Sequence, residues 1–108
     1  MKPVMLSLFV AAAVSAAQDK QTFTGIITDE MCPLGTHAHM RMGPTDAECV
    51  RACVTSHDSA YVLFDGKSAY VLSDQKTSDQ FAAQRVRVVG TLDAKTRTIR
   101  VESIAAAK

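Results

Sequence analysis

All three cysteines of this 108-residue chain, Cys32, Cys49 and Cys53, fall between Asp29 and Cys53. The same stretch, DEMCPLGTHAHMRMGPTDAECVRAC, carries two of the three histidines, His37 and His39, and three of the five methionines, Met31, Met40 and Met42. Thiolate, imidazole and thioether are soft to borderline donors, the set that suits copper(I) and zinc. Cys49 and Cys53 are four residues apart, so a helix places both sulfurs on one face, where they can grip one ion as the paired histidines of H-E-x-x-H do. Cys32 with His37 or His39 would complete the shell. Three thiolates and an imidazole fit tetrahedral zinc, and the neighbouring thioethers fit copper(I), which the methionines put slightly ahead. The candidate ligands are therefore Cys32, His37, His39, Cys49 and Cys53, with copper or zinc as the ion and no other cofactor. Met31 also alternates in phase with the residues before it, as a core side chain would.

A disulfide is the competing use of the same residues. Cys49 and Cys53 on one helix do not point at each other, because their Cα–Cβ bonds tilt the same way. Cys32 paired with either would staple a loop to the helix and stabilise the fold by about 3 kcal/mol in the chain-entropy model. One thiol is then left over. Redox catalysis fits less well, since C-x-x-x-C is one residue longer than the thioredoxin spacing and no βαβ pattern surrounds it. The chain has no nucleophile elbow, phosphate-binding glycine loop or H-E-x-x-H. Asp29 and Glu30 are adjacent, so in a strand they face opposite ways and cannot act as a carboxylate pair. They read as solvated residues at a strand end.

Two features set the context. The first seventeen residues, MKPVMLSLFVAAAVSAA, join one positive charge at Lys2 to an apolar run and small residues, the pattern of a secretory signal peptide cleaved after Ala17. The run is too short for a stable membrane anchor, which needs about 20 apolar residues. The expected organisation is a signal peptide at 1–17 and a single β-rich domain at 18–108, periplasmic or secreted, where an oxidising compartment permits disulfides. Removing Lys2 leaves 11 basic residues against 11 acidic ones. A neutral chain lacks the electrostatic footprint of a nucleic-acid partner. Arg85, Arg87, Arg97 and Arg100 read as alternating residues on a solvated strand face.

The elements that must position the cysteines follow from residue pattern. QTFTGIIT, from Gln21 to Thr28, is rich in β-branched and aromatic residues and reads as a strand, with Gly25 marking a bulge or bend. Pro33, Gly35, Gly43 and Pro44 make the next stretch a loop. Thr45 and Glu48 form a capping box that starts a helix over about Asp46–Thr55, leaving His57 beyond its end. AYVLF and SAYVL flank Asp65-Gly66, a tight hairpin turn. RVRVVGTL and RTIRVESI flank DAKT as a second hairpin. Between the hairpins, DQKTSDQFAAQ is a polar loop in which Phe81 anchors a short helical turn. The expected core is Phe23, Ile27, Tyr61, Leu63, Tyr70, Leu72, Val86, Val88, Ile99 and Val101, with Val50 or Val54 from the helix.

The fold class is thus mainly β with one helix after the first strand: a small five-stranded coiled sheet or partly open OB-like barrel. "GIITDEMC", the histidines, "CVRACV", "AYVLFDGKSAYVL" and "VRVVGTLDAKTRTIRVESI" together resemble a family of small exported bacterial proteins of acidobacterial type. That resemblance implies one exported domain and supplies no catalytic residues. TSHDS before Ala60 is longer than the tight turn the resemblance leads one to expect, so His57 carries no implied role. The expected function is a non-enzymatic binding module for a soft metal ion or small ligand. The alternative is a structural or interaction domain whose cysteines form a stabilising disulfide.

Overall fold

The computed structural model describes residues 19–33 and 44–107. The expected leader, with His37, His39, Met40 and Met42, lies outside these residues. In chain order the elements are β1 (Gln21–Asp29), α1 (Asp46–His57), β2 (Tyr61–Phe64), β3 (Ala69–Leu72), α2 (Gln75–Gln80), β4 (Arg85–Asp93) and β5 (Thr98–Ala106). The protein is mainly β, and a helix follows the first strand as expected. The polar loop holds a second, six-residue helix instead of a single turn.

The five strands close a barrel in the order β1-β2-β3-β5-β4, an OB-like arrangement. Four of the pairings are antiparallel. The fifth, β3 with β5, is parallel and short, with Val71 opposite Thr98 and Leu72 opposite Ile99. Closure there rests on hydrogen bonds from the Val71 N–H to the Arg97 carbonyl (2.9 Å) and from the Ser73 N–H to the Ile99 carbonyl (3.0 Å). Along the closed part of the ring no sheet edge is exposed, which removes that route to strand-mediated association there.

Strand periodicity determines what fills the interior. Val86 and Val88 of β4 are fully buried while Arg85 and Arg87 between them are exposed, as period-two alternation requires. Arg100 is exposed in the same way on β5. Ile27, Leu63, Leu72, Val86, Val88 and Ile99 join Tyr61, Ala82 and Val50 of α1 in one core, with Phe23, Val54, Tyr70, Phe81 and Val101 packed against it. Arg97 departs from the strand pattern: it sits in the β4–β5 turn with φ 56°, its guanidinium 5.9 Å from the centre of the Tyr70 ring.

Three local expectations change. The register break lies between Val89 and Gly90 of β4 and not at Gly25. Gly25 instead marks a close approach: a Cβ there would lie 2.2 Å from the Phe64 carbonyl oxygen, so only glycine lets β1 cross β2 at this point. The first hairpin turn is longer than Asp65-Gly66. The Asp65 carboxylate accepts from the N–H groups of Lys67 and Ser68 at 2.8 Å each, and only Gly66 has positive φ.

Candidate functional site

Helix α1 presents two of the candidate sulfurs, and its start is set locally. Thr45 Oγ1 accepts from the Glu48 N–H (3.1 Å), the N-cap expected of this sequence, and its hydroxyl donates to the Glu48 carboxylate (3.3 Å). The helix runs to His57, two residues beyond expectation, and Asp58 ends it in the left-handed conformation with φ 55°. His57 is therefore the exposed last residue of α1. On the inner face Cys49, Val50 and Cys53 are all fully buried, so the four-residue spacing turns both thiols toward the barrel.

Cys32 comes from the other side, in a turn directly after β1, and is buried at 8 % exposure. The residue that shapes this turn is Asp29. Its Oδ1 accepts from the N–H groups of Met31 (2.9 Å) and Cys32 (3.1 Å), and its carbonyl accepts from the Cys32 N–H again at 3.2 Å. Thr28, also fully buried, donates its hydroxyl to the Cys32 carbonyl at 2.7 Å. Glu30 faces outward and ties the turn to the start of β2, donating its N–H to the Ala60 carbonyl and accepting the Ala60 N–H on its carboxylate.

Asp29 corrects the sequence reading. It is not a solvated strand end: its side chain is fully buried, and Oδ2 has no hydrogen-bond partner. Met31 is also corrected. It does not continue the core phase of β1 but stands 41 % exposed, because the strand ends at Asp29 and the turn breaks the alternation.

The Asp29 carboxylate acts electrostatically on the Cys32 and Cys53 thiols. Burial pushes the Cys53 thiol up to about 11, helped by the Asp29 carboxylate and by Cys49 and Cys32. Cys32 is pushed up for the same reasons, burial first and then Asp29 and Cys49. No disulfide joins Cys32, Cys49 and Cys53 to one another. They are gathered from a turn and a helix 17 residues apart in sequence (Cys32 to Cys49). Among the described residues, no three His, Cys, Asp or Glu side chains already stand where they could hold one metal ion. The part played by His37 and His39 lies outside the described residues.

A second polar cluster joins α1 to α2. The Tyr61 hydroxyl donates to the Asp79 carboxylate, while the Arg51 guanidinium donates to the Asp79 carbonyl at 2.9 and 3.1 Å. Every member is accounted for by its partners, so this cluster reads as a tie that orients α1.

Fold and site together define a class: a small closed β-barrel with a buried thiol and carboxylate cluster where a capped helix meets the end of its first strand. Comparison with protein-family models, curated proteins and solved structures finds no match.

Proposed function

We propose that this is an exported binding module that holds one soft or borderline metal ion through Cys32, Cys49 and Cys53. The observation that carries this reading is that three buried cysteines from two separate segments, the turn after β1 and the inner face of α1, lie close enough to act on one another. A cysteine has one torsion between its backbone and its sulfur, so rotamer changes can bring the thiols onto an ion with little movement of the backbone. His37 or His39, in the segment that joins Cys32 to α1, supplies a further donor. The leader pattern and the resemblance to small exported bacterial proteins support the export part of the reading.

The same proximity serves the rival use, a disulfide from Cys32 to one helix cysteine. The two are separated by counting thiols in the folded protein, reduced and unreduced, with and without added zinc or copper(I). Three thiols that become protected on adding metal support the site, and Cys49→Ser and Cys53→Ser should then each weaken binding severely, with His57→Ala neutral. One thiol regardless of metal, with a mass lower by two hydrogens, leaves the staple and sinks the metal. Intact mass of exported protein should begin at Gln18. A soluble species retaining Met1 would overturn export.

A further inference from the structure

We propose that the free edge of β5 is a pairing surface for a second copy of this chain, and that two barrels join there, antiparallel, across a two-fold axis at Ala105.

The ring closes over only part of β5. The ladder with β4 runs the length of the strand, from Asp93 opposite Thr98 to Val86 opposite Ala106, whereas β3 covers only Thr98 and Ile99. The Ser73 hydroxyl then accepts the Val101 N–H at 2.8 Å and ends the covered stretch. Beyond it no strand flanks β5 on the β3 side among the described residues. The Ala107 N–H donates to the Arg85 carbonyl at 2.9 Å. In an antiparallel ladder successive residues alternate, so Ala105 also turns its N–H and carbonyl toward β4 while Ile104 and Ala106 turn theirs to the open side. Outside the β4 ladder neither Ile104 nor Ala106 has a main-chain partner among the described residues.

Such an edge is a template for another strand, and the usual safeguards of charge and proline are missing from it. Ser103-Ile104-Ala105-Ala106 carries neither. Ser103, Ala105 and Ala106 are exposed and Ile104 is half-buried. The stretch is also its own complement, which selects a second copy as the occupant. About an axis at Ala105, Ile104 of one copy lies opposite Ala106 of the other, and the two exchange N–H and carbonyl hydrogen bonds on both sides of the axis. Ala105 then meets itself at the narrow, non-hydrogen-bonded position, where facing Cα atoms stand about 4.5 Å apart and a methyl group fits. Glu102, the nearest charge before this stretch, lies outside the paired residues and is held by Lys20 at 2.8 Å, so it opposes no like charge. The same patch serves both partners, so the assembly closes at two copies. With so few residues a side, the join falls below about 1,200 Å², in the range of weak and reversible association. None of this depends on the cysteines or on a metal.

The test is sedimentation velocity of the purified protein from about 10 μM to about 1 mM, a range that spans weak affinities. Reductant and a chelator are present throughout, so that neither a disulfide nor a shared ion can join the copies. The parent should pass from monomer to dimer as concentration rises. Ala105→Lys sets like charges face to face on the axis and should weaken the dimer by more than about tenfold, and mixing it with Ala105→Glu should restore a dimer of the two variants. Thr22→Lys, on the exposed face of β1, adds the same charge away from the edge and should leave association unchanged. Ala106→Pro deletes an edge N–H that the β4 ladder does not use and should weaken the dimer as Ala105→Lys does, which keeps the test decisive if the lysine variant does not fold. A parent that stays monomeric, assemblies that grow beyond two copies, equal losses in Ala105→Lys and Thr22→Lys, or full association of Ala106→Pro would each overturn the proposal.

Discussion

The Asp29 carboxylate and the Cys53 thiol meet in the seam between the end of β1 and the inner face of α1, although 24 residues separate them in sequence (29 to 53). The carboxylate alters the thiol's chemistry. Burial and the neighbouring carboxylate keep Cys53 protonated well above its ordinary 9.0.

Because the folded thiol holds its proton more tightly than the unfolded one, the stability it contributes is fully present below 9.0 and is lost as pH rises toward about 11. Cys32 and Tyr61, both pushed up mainly by burial, act in the same direction. Denaturant unfolding of the reduced protein should therefore show stability falling across that interval, and Cys53→Ser should flatten the fall. An identical slope in parent and variant would refute the assignment.

Metal binding should weaken as pH drops, because each thiol must lose its proton to ligate. Calorimetry in buffers of different ionisation enthalpy should detect about two to three protons released per ion. Binding without proton release would mean that the thiols are not the ligands.

Truncations in the barrel should be expensive. Leu63→Ala and Ile99→Ala each remove a fully buried aliphatic side chain and should cost about 2–5 kcal/mol, read as a lower melting temperature. Arg87→Ala, on the exposed face of β4, should change stability by less than about 0.5 kcal/mol.

Two glycine substitutions should separate crowding from backbone strain. Gly25→Ala puts a methyl 2.2 Å from the Phe64 carbonyl oxygen and must displace main chain, costing about 3 kcal/mol or more. Gly66→Ala meets nothing within 4 Å but must hold φ +102°, costing about 1–2 kcal/mol. Equal effects at the two sites would contradict the close β1–β2 approach.

Helix α1 should depend on its cap. Thr45→Ala removes the acceptor of the Glu48 N–H and should cost about 1 kcal/mol, with a matching loss of helical circular dichroism.

The sequence by itself determined the features that follow from local periodicity and capping. Val86 and Val88 had to face one way and Arg85 and Arg87 the other once that segment was a strand. Thr45 and Glu48 marked the start of α1, and the four-residue spacing put Cys49 and Cys53 on one face. Five strands and a helix after the first were likewise legible. Tertiary structure alone decided which strands pair: the parallel contact of β3 with β5 joins segments whose own patterns are indifferent to the partner, and it exists because the twisted sheet closes on itself. It also decided the fate of Asp29. An aspartate at a strand end is ordinarily solvated, and the D-x-x-C pattern signals only the turn that its carboxylate builds. Its burial, and its place beside Cys32 and the Cys53 of α1, are long-range outcomes of the fold. Local pattern sets where a side chain points, but solvent exposure depends on what the rest of the chain lays over it.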